Sequence, residues 1–281
     1  MTLSIRSDHS HAEIELFGGR VLAYETIFDE ASFHWLVSSE PGGAGCFPML
    51  PFAFRLRDGK FKFGDQQVAL PANVAEDRHP MHGFAWQQPW RLVTHSDSAI
   101  CMHSESTDLW PWNYEAYQTI SLVGDDLLLE MSVSNLADTE MPLGFGWHPF
   151  FNRSAQTQVH AKCSLQAELD EAYMFKRWHK NAPLVLETGL VLSGGCDDVY
   201  GGWLGSAMIR WSDKLALHMT ANSTLDHLVL YAPATRPFFC LEPASMVPNA
   251  FNVEGGLLPE SLILQGSQTK VFSARFSPIV G

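Results

Sequence analysis

Period-two alternation of apolar and polar residues constrains this chain more than any other feature. Leu127, Leu129, Met131 and Val133 alternate with Leu128, Glu130, Ser132 and Ser134. Leu215, Leu217, Met219 and Ala221 alternate in the same way with Ala216, His218, Thr220 and Asn222. Side chains of a strand point to opposite faces in turn, so such runs are half-buried strands. Gly124-Asp125-Asp126 ahead of the first run reads as a hairpin turn. Ile14, Leu16, Gly18-Gly19, Val21 and Ala23 read as a first hairpin. No amphipathic segment of three helical turns with caps is present. The expectation is an all-β fold, a large antiparallel β-sandwich. Glycines and prolines are spread throughout, so no linker divides the chain, and residues 1–281 are read as a single domain.

The net charge of −13 argues against nucleic acid, which needs a basic footprint. No apolar run approaches the roughly 20 residues of a membrane helix, and the first eighteen residues hold no apolar core of a signal peptide. The five cysteines, 46, 101, 163, 196 and 240, are scattered and form no CxxC pair. They read as reduced thiols of a cytoplasmic protein, each a small buried hydrophobe.

Three segments concentrate the residues that carry chemistry. In Cys240-Leu-Glu-Pro-Ala-Ser-Met-Val-Pro-Asn-Ala-Phe-Asn252, Glu242 ends an apolar run that reads as a buried strand, and Pro243 and Pro248 are expected to stop regular structure. A carboxylate there is costly unless paired, hydrated or at work, although bonds to loop amides would also satisfy it. In Gly144-Phe-Gly-Trp-His-Pro-Phe-Phe-Asn152, Pro149 holds His148 extended among aromatics. His148 is then either a core histidine bonded to a carbonyl, neutral through burial, or one whose proton an acid partner holds. In Pro80-Met-His-Gly-Phe-Ala-Trp86, His82 pairs with His79 in an HxxH spacing. Pro80 and Gly83 disfavour the helix on which a zinc pair would stand at i and i+4, and no further close pair completes a ligand set. Contact with a polar ligand is the favoured role for His82, with a satisfied loop histidine as the plain alternative.

Two further positions have strong structural readings. Arg55 reads as an edge-strand cation, with Asp58-Gly59 as the following hairpin turn. Asp197 and Asp198 read as turn formers. Most of the nine tryptophans belong in a core, and some could wall a sugar face.

Taken together, the order and spacing of these segments resemble the aldose 1-epimerase (galactose mutarotase) family from about residue 10 to residue 275. Phe47-Pro-Met-Leu-Pro-Phe-Ala-Phe-Arg-Leu-Arg-Asp-Gly59 resembles the family's early proline-rich strand, and Arg55 matches its substrate arginine. Phe54 stands where the family commonly has asparagine. His82-Gly83 matches the family's sugar-binding His-Gly. Gly146-Trp-His-Pro-Phe-Phe matches the motif whose histidine, here His148, is the general acid. Asp197 falls on the hydroxyl-binding aspartate. Glu242-Pro, followed by Ala250-Phe-Asn252, matches the general base.

The resemblance implies a galactose-mutarotase β-sandwich that interconverts the anomers of a free aldose without cofactor or metal. It implies Glu242 and His148 as catalytic groups, and Arg55, His82 and Asp197 as sugar contacts. The partner is then a small sugar, with neither nucleic acid nor membrane, and the expected assembly is a monomer or homodimer. Three alternatives stand beside it. They are a non-catalytic carbohydrate-binding protein, a glycosidase using Glu242 and Asp197, and a sugar-phosphate epimerase served by Arg55, Arg57 and Arg78.

Overall fold

The computed structural model describes residues 1–28, 31–38, 44–75, 77–179, 184–192, 195–253 and 257–281. Two large antiparallel sheets, of eleven and nine strands, account for most of the described chain. The one α-helix among the described residues, Leu184–Thr188, has five residues. The expected all-β architecture is what forms.

The first alternating run settles as predicted. Asp126–Asn135 buries Leu127, Leu129, Met131 and Val133 and pairs with Tyr114–Val123 through a tight turn at Gly124-Asp125. Gly124 takes φ +59, as the first position of such a turn requires. The Ser10–Glu15 and Arg20–Phe28 strands form the predicted hairpin, but it is not the first. Thr2–Arg6 precedes it and pairs with Ser10–Glu15.

Five strands of the larger sheet position the site, in the spatial order Cys46–Met49, Gly146–Asn152, Phe238–Ala244, His227–Ala232, Cys196–Gly201. One face of this sheet packs on the nine-stranded sheet. There, Trp147 donates from its indole nitrogen to Gln118 Oε1 at 3.4 Å, and Phe151 lies 5.5 Å from Phe276, ring to ring. The other face is covered by loops. With both faces covered, Phe238–Ala244 is buried along its whole length, which is why it reads as a continuous apolar run.

Pro243 does not stop the strand as expected. It pairs with Leu228 and the strand runs on to Ala244. A proline costs a strand only the hydrogen bond its missing N–H would make, and the ladder on that side is already open. Gly146↔Ala244 and Phe150↔Cys240 are paired, while no pairs form between them, where Pro149 and Pro243 lie. Asp58-Gly59 is likewise not a hairpin turn. Arg57–Gly59 is a short 3-10 turn leading into Lys60–Phe63, which pairs with Gln66–Ala69.

Candidate active site

The gap in that ladder is where the chemistry stands. Both flanking pairs have the same register, and carrying it through the gap puts His148 directly opposite Glu242. Pairings on either side extend the row: Phe47 lies beside His148, and Val229 beside Glu242. Because Trp147 faces the second sheet, strand alternation turns His148 to the loop-covered face. His148 Nε2 lies 3.4 Å from Glu242 Oε1.

Burial is close to complete for both groups. Glu242 is 2% exposed, and its Oε2 has no hydrogen-bond partner among the described residues. His148 is 8% exposed, and its Nδ1 is likewise without a partner. The imidazole packs on two phenyl rings, Phe47 at 4.8 Å and Phe150 at 4.7 Å, at small angles to both, and these rings also touch each other at 6.2 Å. These contacts fix the ring plane and help exclude water from it. Burial therefore pushes the His148 pKa down to about 3, so the ring is neutral at pH 7. The Glu242 carboxyl moves well above its ordinary range, first through burial and then through the nearby charge of Asp197. Burial thus disfavours the imidazolium–carboxylate form of the pair. Burial favours neutral imidazole beside a protonated carboxyl, which carries the same number of protons.

Glu242 and His148 line a cavity of about 460 Å³ that also takes in Arg55, His82 and Asp197. All five candidate residues thus converge on one space. Asp197 is not in a turn. It lies in the Cys196–Gly201 strand opposite Tyr231, and Asp198 takes the other face, where it accepts from Gln166 Nε2 at 3.1 Å. Burial raises the Asp197 pKa, with Arg55 lowering it and Asp198 raising it.

Arg55 is a loop residue rather than an edge-strand cation. It donates from Nε to Asp77 Oδ2 at 3.0 Å, and its guanidinium lies 5.1 Å from the Tyr173 ring centre. Burial alone would raise Asp77, but the His79 amide and Arg55 outweigh it and hold its carboxyl below the usual range. Asn249 fixes the Arg55 loop from the far side. Its amide donates to the Arg55 carbonyl at 2.8 Å, and its Oδ1 accepts from the Arg57 amide at 3.0 Å.

His82 is delivered by a tight loop. It has φ +62, and Gly83 after it has φ +65. A Cβ on Gly83 would sit 1.9 Å from the Leu50 carbonyl oxygen, so only glycine fits. Asn73 clamps the loop, donating to the Met81 and Gly83 carbonyls and accepting from the Met81 amide. His82 Nδ1 accepts from the Phe54 amide at 3.3 Å, which assigns the proton of the neutral ring to Nε2. Burial, then His148 and Arg55, push the His82 pKa well down, so it serves as a neutral donor. His79 is engaged elsewhere, its Nδ1 accepting from the Asp58 amide at 2.9 Å. The HxxH pair therefore does not converge on a common point.

Several contributors went unseen in the sequence reading. Phe47 and Phe150 pack on His148, Asp77 and Tyr173 hold Arg55, and Asn73 and Asn249 pin the two loops. Only Asn249 left a local signal, since its φ of +64 is a conformation that asparagine tolerates better than most residues. None of the nine tryptophans lines the cavity; seven are buried in the core. The apolar part of its wall comes instead from Phe54, Phe150 and Phe238, among others. Cys240 shares the strand face of Glu242, and ligand atoms of His148, Cys240 and Glu242 all lie within 4.8 Å of one another.

Comparison with known proteins bears on the family and the fold. The family model described as aldose 1-epimerase matches residues 1–267. YphB of Escherichia coli K12, an uncharacterized protein, is 31% identical over 230 residues, covering 76% of this chain and 77% of YphB. A galactose mutarotase-like protein from Clostridium acetobutylicum superposes with a TM-score of 0.87 at 18% identity, over 100% of this chain and 95% of that one. The GalM/aldose epimerase homologue from C. elegans gives 0.83 at 15% identity, over 100% and 99%. At these identities the two structures show a shared fold.

Proposed function

The chain belongs to the aldose 1-epimerase family, and from that premise we propose that it interconverts the α and β anomers of a free aldose by acid–base ring opening and closure. The observation that carries this reading is the opposition of His148 and Glu242 across the open ladder, with Glu242 Oε2 unpartnered at the cavity. A buried oxygen without a partner is expensive unless a ligand supplies one. The anomeric hydroxyl of a pyranose is such a ligand.

Mutarotation needs a base for the O1 proton and an acid for the ring oxygen. Glu242 takes the first and His148 supplies the second; C1 then turns about the C1–C2 bond and the roles reverse on closure. The neutral pair and the charged pair differ only by moving one proton between the two side chains. A sugar hydroxyl donating to Glu242 restores some of the solvation that burial removed and so favours the carboxylate. His82, Arg55 and Asp197 hold the remaining hydroxyls and keep the open aldehyde from diffusing away. The reaction involves no redox change, so these side chains suffice.

Polarimetry of freshly dissolved α-glucose and α-galactose tests the proposal. Faster relaxation on adding protein supports it. Sugar binding without acceleration would point to a binding protein, and cleavage of aryl glycosides to a glycosidase. Activity is expected to survive prolonged treatment with a strong chelator. Loss on chelation, restored by zinc or manganese, would contradict a cofactor-independent reaction.

Phe54 bears on which sugar is taken. It lines the cavity, 6.2 Å from the His82 ring centre, and holds φ +62. A phenyl ring cannot hydrogen-bond a hydroxyl, and a hydroxyl buried against it loses roughly 1–3 kcal/mol. Phe54→Asn is expected to raise kcat/KM for galactose relative to the other sugars in a panel of hexoses and pentoses. An unchanged ranking would mean that Phe54 serves only to pack His82.

A further inference from the structure

We propose that Cys240, His148 and Glu242 form a binding site for a thiophilic divalent cation such as zinc, and that its occupancy blocks the acid–base pair. The mechanism has no use for Cys240, yet its position is determined by the same strand that places Glu242. The two residues are next-but-one neighbours on one strand face, and His148 stands across from Glu242 on the adjoining strand. Their ligand atoms lie within 4.8 Å of one another.

One edge of the triad fits a tetrahedral ion. Metal–ligand bonds of roughly 2.0–2.3 Å imply ligand–ligand edges of about 3.3–3.7 Å. The His148 Nε2 to Glu242 Oε1 separation of 3.4 Å already falls in that span. One sulfur, one nitrogen and one oxygen leave a fourth position open towards the cavity, the pattern of zinc sites that bind an exchangeable ligand.

A second observation points to a missing cation. Glu242 Oε2 is buried with no partner, and Asp197 adds a further carboxylate to the same cavity. A dication bound by the Glu242 carboxyl would offset its buried charge, as Arg55 lowers the cost of charge on Asp197. Burial also keeps His148 as neutral imidazole, the form that ligates. The Cys240 thiol is pushed well above its ordinary range by burial and then by Glu242. Binding must therefore expel its proton: the S–H bond breaks, a metal–sulfur bond forms, and the proton leaves to solvent. No electron is transferred.

The blocking half of this proposal rests on the acid–base reading of the pair; the binding half does not. The test uses the full chain, stripped with a chelator and dialysed, then titrated with zinc against a chromophoric chelator and with cobalt(II). One equivalent per chain is expected, with a thiolate-to-cobalt charge-transfer band in the near ultraviolet. Cys240→Ser should abolish that band. Cys240→Ser and Glu242→Gln should each weaken zinc binding by ~100-fold or more, at least the upper loss seen for removing supporting groups around a metal. Zinc should inhibit mutarotation in step with occupancy, and chelator should restore it. No saturable uptake, or uptake unchanged in both variants, would overturn the site. Full occupancy with undiminished mutarotation would overturn the blocking. Uptake with the thiolate band in a protein that never catalysed mutarotation would support the metal site and overturn the activity reading instead.

Discussion

Glu242→Gln is expected to slow catalysed mutarotation by roughly 10²–10⁴-fold while sugar binding survives. The amide keeps the shape of the side chain and can still bond a hydroxyl, but it cannot take the O1 proton. His148→Asn should lose a comparable factor, because the ring oxygen then lacks its donor. The double variant should lose little more than either alone, since acid and base act on one event and their effects are not additive. Rates by polarimetry, and binding by calorimetry with the same sugar, separate the two effects. A Glu242→Gln protein that retains more than half the wild-type rate would remove Glu242 from the mechanism.

The same substitution should stabilise the fold, and more so as pH rises. Burial and Asp197 raise the folded-state pKa of Glu242 above its unfolded value. A group shifted in that direction contributes its full stability below the unfolded carboxyl range. It loses that contribution as pH climbs through the folded value. Wild-type protein thus bears an ionised, poorly solvated carboxylate at high pH, and Glu242→Gln does not. Chemical denaturation should show the variant ahead by roughly 1–3 kcal/mol at pH 8 to 9, the range for an unmatched buried polar group. The gap should narrow towards pH 4. A difference that does not vary with pH would show that Glu242 is as well solvated in the native state as in the unfolded chain. Together the two results would describe a site that holds its base at a cost in stability.

Much of the candidate site could be read locally. Glycine before Trp147 and proline after His148 marked an extended histidine among aromatics, and the apolar run before Glu242 marked a covered strand. His82-Gly83 marked a tight loop, and the structure gives the reason in the close approach of Gly83 to the Leu50 carbonyl. The local readings that failed did so for one shared reason. Pro243 was expected to end its strand, Asp197 to turn the chain and Arg55 to lie on an edge. Composition pointed to punctuation at Pro243 and Asp197 and to a strand at Arg55, and in each case pairing with distant strands or loops overrode it. Val229 and Leu228 hold the Glu242-Pro243 pair in the ladder, Tyr231 holds Asp197 in a strand, and Asn249 and Met81 hold Arg55 in a loop beside the cavity.

By itself the sequence determined the alternating strands, which of their side chains share a face, and which histidines and carboxylates are set among apolar neighbours. Alternation and turn chemistry are properties of a few adjacent residues, so they are legible without knowing the fold. Only the tertiary structure decided that His148 stands opposite Glu242, that Asp197 rather than Asp198 faces the cavity, and that Cys240 joins the pair. Those outcomes depend on which strands become neighbours and in what register. Register comes from side chains far apart in the chain packing on a common core, and no local pattern encodes it.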